Sequence, residues 1–242
     1  MNPRDEVELT PVAPRESLLA DSVPLFSGLN PLDLEALLSL AKTSVIKSRQ
    51  VVCSRGEPGD ALYVLITGKL KVTAESGDGR ELILAILDAG ETFGEMSLLD
   101  GKPRCASVTA VQDSELLVIR RQDFLRFLEQ HPKVAIELLA ILTQRLRGMD
   151  DMMGDVRFLD VRRRLARMLH RLVMQHGRTM NGGGVRIDLH LSQEDLGNLI
   201  CATRESVNKH LKAWEDEGWL SVAQNGLVIH QLDILEATAT EP

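Results

Sequence analysis

Apolar side chains follow a helical period near the start of the chain. They recur between residues 23 and 41, where Asn30 can cap a helix and Pro31 suits its first position. Asp33 and Glu35 add negative charge in the first turn, where the helix dipole favours it. The sequence therefore predicts a short lead-in followed by an amphipathic helix.

The period changes to that of strands between Val51 and Ile119. Short runs rich in Val, Ile and Leu alternate with turn signals that contain Gly, Asp or Pro; the runs are VVC, ALYVLI, LKVTA, ELILAIL, SVTAV and ELLVI. Regularly spaced short strands with glycine-rich turns are typical of an antiparallel roll or barrel. We predict such a fold for this segment.

The helical period returns after Gln122 and continues through residues 158–173. Within it, six apolar residues have spacings that alternate between three and four, the pattern of a coiled-coil seam: Leu139, Leu142, Leu146, Met149, Met153 and Val156. One interpretation is a helix that packs within its own domain. Charged flanking residues favour an interface between two copies of the chain, as do Gly148 and Gly154, because glycines weaken an unsupported helix.

A pair of short helices is predicted near the C-terminus. Ser192 with an acid three residues later approximates a capping box, which predicts a helix over residues 193–200. A tight break at Cys201 follows, and Thr203 can cap a second helix that extends to about residue 217. Two helices joined by so short a turn indicate a helix-turn-helix.

The second of these helices carries side chains suited to reading DNA. A helix-turn-helix directs the N-terminal residues of its second helix toward base edges in the major groove. Arg204 can bind guanine, Glu205 can accept from cytosine, and Lys209 lies about one turn further on. Other polar residues suit phosphate or secondary base contacts: Ser192, Thr203, Ser206 and Asn208. The segment LSVAQNGLVIH then predicts a two-stranded wing with Asn225-Gly226 at its tip.

Composition sets limits on the class of protein. The 242 residues are 44% hydrophobic and 26% charged, as expected for one large or two modest domains with real cores. No long apolar run or signal-peptide pattern occurs, so we expect a cytoplasmic protein without a membrane span, with residues 1–18 as a disordered arm. The net charge of −7 lies entirely in residues 1–161, because residues 162–242 carry equal numbers of acidic and basic side chains. The C-terminal third therefore lacks an acidic excess that would repel phosphate.

Cysteine spacing argues against a metal centre or a disulfide framework. Cys53, Cys105 and Cys201 are odd in number and far apart, and no CxxC or closely spaced Cys/His set is present. We expect three independent, reduced thiols and no metal.

The segment FGEMSLLDGKPRCASV, residues 93–108, combines an acid and a base among small and apolar residues. Two plain interpretations are a surface loop with solvated charges and an internal ion pair between Glu95 and Arg104. A third is a ligand site, in which the turn at Gly94 offers backbone N–H groups and Arg104 binds an anionic oxygen. Glu95 can only accept hydrogen bonds, so such a ligand would also need hydroxyl donors, as a ribose has. A phosphate and a sugar hydroxyl together describe a nucleotide.

Four motifs in order give the chain a recognisable pattern: RGEPGDALYVLITGKLKV, FGEMSLLDGKPRCASV, the helix leading into RFLDV, and CATRESVNKHLKAWEDEGWL. Residues from about 23 to 230 resemble the cyclic-AMP receptor protein/FNR (Crp/Fnr) family of bacterial transcription regulators. The resemblance implies an α+β fold with a cyclic-nucleotide-binding-type β-roll, a long dimerisation helix and a winged helix-turn-helix. It implies a sensory domain over residues 19–131, a dimerisation helix over 132–160 and a DNA-binding domain over 161–242.

The resemblance also implies an effector site. By position in the motifs, Gly94 and Glu95 match backbone and ribose contacts, and Arg104 with Cys105 match contacts to a cyclic phosphate. The full set implied is Gly94, Glu95, Met96, Arg104, Cys105, Ala106, Arg145, Met149 and Asp150. Cys105 stands where members that bind cyclic AMP usually carry Ser or Thr, and Met149 and Asp150 stand where they place hydroxyl residues that read adenine. The phosphate-binding half of the pocket is thus retained, and the base-reading half is not.

The leading hypothesis is a homodimeric transcription regulator that binds a near-palindromic operator in double-stranded DNA and contacts RNA polymerase. No cofactor is required, and cyclic AMP, cyclic GMP and cyclic di-GMP are candidate effectors. The alternatives are a regulator that needs no effector and a ligand-sensing module that acts on a protein partner. An enzyme is the least favoured class, because the sequence has no local nucleophile–base motif and no glycine-rich nucleotide-triphosphate loop.

Overall fold

The computed structural model of the chain describes residues 9–11 and 22–240, apart from 76, 78, 80, 181, 182, 188, 190, 224 and 225. Residues Met1–Leu146 and Arg147–Pro242 form two compact units. The boundary between the units lies inside one long helix, so the division at residues 131/132 and 160/161 stays a prediction.

The strands of the N-terminal unit form two antiparallel sheets, with the orders β1-β2-β9-β4-β7 and β3-β8-β5-β6. Their bounds are Leu9–Pro11 (β1), Ala41–Ile46 (β2), Val51–Cys53 (β3), Ala61–Thr67 (β4), Lys69–Glu75 (β5), Glu81–Asp88 (β6), Thr92–Phe93 (β7), Ser107–Ala110 (β8) and Ser114–Arg120 (β9). The six predicted strand runs and the antiparallel roll are thereby confirmed.

Three strands differ from the sequence-based expectation. β2 and β7 were not predicted, because each takes its partner from a distant part of the chain: β2 pairs with β9, and β7 pairs with β4. β1 pairs with the edge of β2, so Leu9–Pro11 departs from the expected disordered arm. An edge strand offers unpaired backbone groups, and β1 uses them. Residues 1–8 and 12–18 of the arm lie outside the described residues.

The sheet that contains β4 and β9 is buried on both faces. Successive side chains of a strand point to opposite faces, so Leu62 and Val64 enter one apolar cluster and Leu65 enters the other. The first cluster lies under the helices of the unit and includes the fully buried Phe124. The second cluster lies between the two sheets and includes Leu70 of β5. This double burial explains why β4 reads as a nearly continuous apolar run.

Helices flank the roll. A 3₁₀ turn at Pro24–Phe26 precedes α1 (Pro31–Ser39), whose N-cap Asn30 accepts from the backbone N of Asp33 at 2.9 Å, as predicted. The later helices are α2 (Glu95–Asp100), α3 (Arg121–Gln130) and α4 (Pro132–Phe158). His131 separates α3 from α4 because a residue before proline is forced out of the helical conformation.

The described residues of the C-terminal unit form the end of α4, four further helices and one sheet. These helices are α5 (Val161–His176), α6 (Gln193–Ile200), α7 (Arg204–Asp216) and α8 (Leu232–Thr240). The strands are β10 (Gly177–Thr179), β11 (Val185–Ile187), β12 (Leu220–Ala223) and β13 (Gly226–Ile229), and the sheet has the order β10-β11-β13-β12. The helical pattern expected from 158 to 173 is interrupted, which corrects the prediction: Asp160 accepts from the backbone N of Arg163 and starts α5 anew. α8 and β10 were not predicted.

The winged helix-turn-helix is confirmed. α6 and α7 follow each other closely, and β12 and β13 form the wing. Asn225, predicted at the wing tip, lies outside the described residues. The described part of the chain contains no helix with the length and apolar character needed to cross a membrane.

Candidate effector pocket and DNA-binding surface

Gly94 begins the candidate effector pocket. It is the N-cap of α2 and has φ 84°, a left-handed conformation that favours glycine. A Cβ at this position would lie 2.5 Å from Nη1 of Arg104 and 3.0 Å from the carbonyl oxygen of Ala61. Glycine is therefore needed both for the turn and for the close approach of the guanidinium group.

Arg104 is buried, with 5% of its surface exposed. Its Nη1 donates to the carbonyl oxygen of Gly94 and its Nη2 to that of Ala61, both at 2.9 Å. The guanidinium carbon lies 5.3 Å from the ring centroid of Tyr63, which stacks on Phe93. Burial raises the pKa of the Tyr63 hydroxyl, although the nearby charge of Arg104 opposes the shift.

The charge of Arg104 is only partly compensated. No carboxylate of the described residues forms an ion pair with it, and its buried Nε has no hydrogen-bond partner among them. Two carbonyl dipoles and an aromatic face stabilise a cation, but an uncompensated buried charge is costly. The arrangement is therefore suited to an anion.

Glu95 pairs with a different arginine. Its side chain is 3% exposed, and its Oε1 lies 2.7 Å from Nη1 of Arg145 on α4. Arg145 also donates to the carbonyl oxygen of Thr92. The interpretation of an internal ion pair between Glu95 and Arg104 is wrong, as is that of solvated charges on a surface loop, because both side chains are buried. Oε2 of Glu95 is also buried and accepts no hydrogen bond from the described residues.

The remaining predicted pocket residues differ in exposure. Ala106 is buried, whereas Met96 and Cys105 are exposed and in contact, with Sγ of Cys105 donating to Sδ of Met96 at 3.7 Å. Met149 and Asp150 lie on an exposed part of α4 in the C-terminal unit, and their place in an effector site stays a prediction.

Most of the predicted seam is an exposed apolar stripe on α4. The exposed members are Leu139 (62%), Leu146 (59%), Met149 (58%), Met153 (71%) and Val156 (43%). Leu142 differs, because it is half-buried and packs on the apolar cluster under the helices of its own unit. Packing within the domain therefore accounts for Leu142 and leaves the rest of the stripe uncovered.

Backbone geometry makes the turn between α6 and α7 tight. Ser192 and Asp195 form a complete capping box at the start of α6, as predicted. Cys201 has φ 54° at the end of α6, and a Cβ on Gly197 would lie 2.7 Å from the carbonyl oxygen of Ala202. Thr203 then caps α7 by accepting from the backbone N of Ser206 at 3.3 Å.

The predicted DNA-reading residues share one face of α7. Arg204, Glu205, Asn208 and Lys209 are exposed, Ser206 is half-buried, and the opposite face buries Val207, Leu211 and Trp214. The N–H of Glu205 at the helix start bonds its own carboxylate and lowers its pKa. Its contact with a base edge stays a prediction.

Two contacts in this unit were missed from the sequence. Nε2 of Gln193 on α6 donates to Oδ1 of Asn208 at 3.2 Å and so orients a predicted DNA contact. Nη1 of Arg164 on α5 donates to the carbonyl oxygen of Ile200 at 2.7 Å and stabilises the end of α6. Both partners are distant in sequence, so no local pattern indicates either contact.

Comparison with known proteins agrees with this geometry. Residues 44–131 match the Cyclic nucleotide-binding domain family, and residues 163–238 match the Crp-like helix-turn-helix domain family. Together they define a transcription regulator with a nucleotide-binding-type domain and a DNA-binding domain. The chain belongs to the Crp/Fnr family, whose members are regulators and not enzymes.

Several relatives cover nearly the whole chain. The CRP-like cAMP-activated global transcriptional regulator of Mycobacterium tuberculosis is 32% identical over 89% of this chain and 96% of its own. The cyclic AMP receptor protein of Thermus thermophilus is 33% identical over the same shares. Among solved structures, the c-di-GMP responsive global regulator CLP of Xanthomonas campestris is 25% identical, with a TM-score of 0.75 over 83% of this chain and 99% of that one.

Proposed function

We propose that this protein is a homodimeric transcription regulator whose affinity for a near-palindromic operator is controlled by a small nucleotide-like effector bound in the roll. The helix-turn-helix supplies the DNA contacts, and the roll supplies the sensor. RNA polymerase is the expected protein partner, and the bacterial cytoplasm, where the DNA lies, is the expected place of action.

The observation that carries the effector is the state of Arg104. Its guanidinium group is buried without a carboxylate partner in the described residues, and its Nε is unsatisfied. A phosphate oxygen would compensate this charge and accept the free N–H. The buried Oε2 of Glu95 could accept from a ribose hydroxyl of the same ligand.

The dimer is supported by the exposed stripe on α4. Leu139, Leu146, Met149 and Met153 are each more than half exposed, which is unfavourable for apolar side chains in water. A second copy of the helix, packed at the same spacing, would bury them.

Coupling between the two functions would pass through Glu95 and Arg145. This ion pair joins the pocket to α4, the same helix that carries the exposed stripe. A ligand that contacts Glu95 changes the environment of Arg145. The ligand can therefore have different affinities for the protein in two arrangements of α4. Such a difference in affinity is sufficient for control.

The effector is testable by calorimetry with cyclic AMP, cyclic GMP and cyclic di-GMP. The first and the last appear in the names of relatives. Because Met149, Asp150 and Cys105 stand where cyclic-AMP-binding members carry hydroxyl residues, we expect weak cyclic-AMP binding or poor purine discrimination. We expect at least one nucleotide to bind wild type and to lose its affinity in Arg104→Ala. Lys102→Ala is the matched control, because Lys102 lies in the same segment, carries the same charge and is exposed.

Three outcomes are decisive. Equal losses in Arg104→Ala and Lys102→Ala would assign the effect to overall charge and remove Arg104 from the pocket. Tight, purine-selective cyclic-AMP binding would mean that Met149 and Asp150 do not govern the base-reading half. No binding by any of the three, with DNA binding intact, would favour a regulator that needs no effector or uses an unrelated one.

A further inference from the structure

Two sulfur atoms lie together beside the candidate effector pocket, and the proposed function does not use them as a pair. Sγ of Cys105 lies 3.7 Å from Sδ of Met96, and both side chains are exposed, Met96 to 51%. We propose that Cys105 and Met96 form a binding site for a soft monovalent metal ion of the Cu(I) type.

The donor atoms select for this class of ion. Thiolate and thioether sulfur are ligands that Cu(I) prefers over harder cations. Zinc sites need three or four protein ligands, and no group of three or more His, Cys, Asp or Glu side chains suited to a metal occurs within the described ranges. The pair therefore has the softness that Cu(I) requires and lacks the ligand number that zinc requires.

The separation of the sulfur atoms suits a shared ion. Two metal–sulfur bonds of about 2.3 Å, the length that thiolates make to zinc, meet at roughly 110° when the sulfurs are 3.7 Å apart. A bent pair of ligands leaves one side of the ion open. Because both side chains are exposed, a third ligand can reach this side from solution.

Each donor follows a residue whose own contacts fix the chain at that point. Met96 follows Glu95, which is buried and paired with Arg145. Cys105 follows Arg104, whose guanidinium group donates to two carbonyls and whose backbone N donates to the carbonyl oxygen of Glu57 at 2.8 Å. Two ligands whose backbone positions are fixed and whose sulfur atoms are already in contact lose less entropy on binding an ion.

Charge balance favours a monovalent ion. When such an ion binds, the Cys105 thiol releases one proton and the thiolate takes one positive charge, so the net charge of the site does not change. A divalent ion would add a positive charge next in sequence to Arg104, whose buried guanidinium group already lacks a carboxylate partner among the described residues.

The test measures metal binding without nucleotide or DNA, so it is independent of the proposed function. Reduced protein is titrated without oxygen against Cu(I) held by bicinchoninate, a coloured competitor. We expect wild type to take up Cu(I) with an affinity that falls by about tenfold or more in both Cys105→Ser and Met96→Leu, since even the loss of an outer-shell partner commonly costs that much. Cys201→Ser is the matched control, because Cys201 is also an exposed thiol.

A spectroscopic signature separates the pair from a single thiol. The methyl resonance of Met96, assigned by its absence in Met96→Leu, should shift when wild type binds Ag(I), a redox-inert stand-in for Cu(I). The shift should vanish in Cys105→Ser and persist in Cys201→Ser.

Any of three results would overturn the proposal: wild-type Cu(I) affinity in Met96→Leu, an equal loss in Cys201→Ser and Cys105→Ser, or an unmoved Met96 resonance. Circular dichroism checks that each variant is folded. Where Met96→Leu does not fold, through-bond assignment of the wild-type spectrum identifies the Met96 methyl group, and an unmoved resonance on addition of Ag(I) still overturns the proposal.

Discussion

Glu95 is joined to Arg145, fifty residues away, by a contact of 2.7 Å between Oε1 and Nη1. The acid of the 93–108 segment is thus bound to the long helix and not to the base of its own segment. Arg104 instead donates to two backbone carbonyl oxygens, those of Gly94 and Ala61.

We expect the loss of this ion pair to destabilise the N-terminal unit. Arg145→Ala leaves the Glu95 carboxylate buried and unpaired, which costs about 3–5 kcal/mol for a fully buried pair. Because the Arg145 side chain is 33% exposed, solvent screening reduces the expected loss to about 1–3 kcal/mol. Urea denaturation measures it.

The matched test of that ion pair is a double-mutant cycle. Glu95→Gln combined with Arg145→Ala should be more stable than the sum of the single losses predicts, because no buried charge is left unpaired. Lys102→Ala is the control, because it removes an exposed positive charge from the same segment as Glu95. It should change the free energy of unfolding by no more than about 0.5 kcal/mol. Strict additivity would show that the two side chains do not interact in solution.

Arg204 should govern sequence-specific DNA binding. Arg204→Ala removes an exposed donor at the start of α7 and should cost about 1–3 kcal/mol at the operator while leaving scrambled duplexes nearly unaffected. Lys212 is exposed two turns further along the same helix. Lys212→Ala should weaken binding to both duplexes alike if this charge contacts phosphate, because phosphate contacts carry no sequence information. Gel-shift titrations at fixed salt give both values, and equal affinity of wild type and Arg204→Ala for the operator would contradict the assignment.

Leu146 should hold the dimer together. Leu146→Asp introduces a charge into the apolar stripe of both copies, so the dimer should dissociate and operator binding should fall. Gln144→Asp is the control, because Gln144 is exposed on the opposite face of α4. Light scattering reports the mass, and a Leu146→Asp dimer with normal DNA binding would exclude the stripe as the interface.

Glu91 should make stability depend on pH. Burial raises the pKa of its carboxyl group, although the backbone N–H of Asp88 and the nearby charges of Arg145 and Lys69 oppose the shift. A raised pKa means that the folded state holds the proton more tightly than the unfolded state. The stabilisation is therefore complete below the unfolded pKa and is lost as pH rises through the folded pKa.

Glu91→Gln removes this dependence, because an amide does not titrate. The hydrogen bond from the backbone N of Asp88, 2.7 Å in wild type, can be kept, because the amide oxygen can also accept it. The free energy of unfolding of Glu91→Gln should rise relative to that of wild type from about pH 4 to about pH 7. Urea denaturation at several pH values measures this difference. A difference that stays constant or falls with pH would contradict the expected shift.

The sequence by itself determined the elements whose causes are local. Asn30, Ser192 and Thr203 cap helices through contacts three residues away, so their helix starts were predictable, as was the tight turn at Cys201. The strand runs between Val51 and Ile119 were also predictable, because the apolar runs and the turn residues that bound them are local features of the sequence. The class of protein followed from the order of four such local motifs.

The tertiary structure decided which distant groups meet. It gave β2 and β7 their partners, paired Glu95 with Arg145, placed Leu142 against its own unit while leaving Leu146 exposed, and brought the sulfur of Cys105 to that of Met96. Each outcome depends on how sheets and helices pack, and packing energy is shared over many residues rather than encoded at one position. A local pattern shows that Glu95 and Arg104 need partners, but only the folded chain selects Arg145 for one and backbone carbonyls for the other.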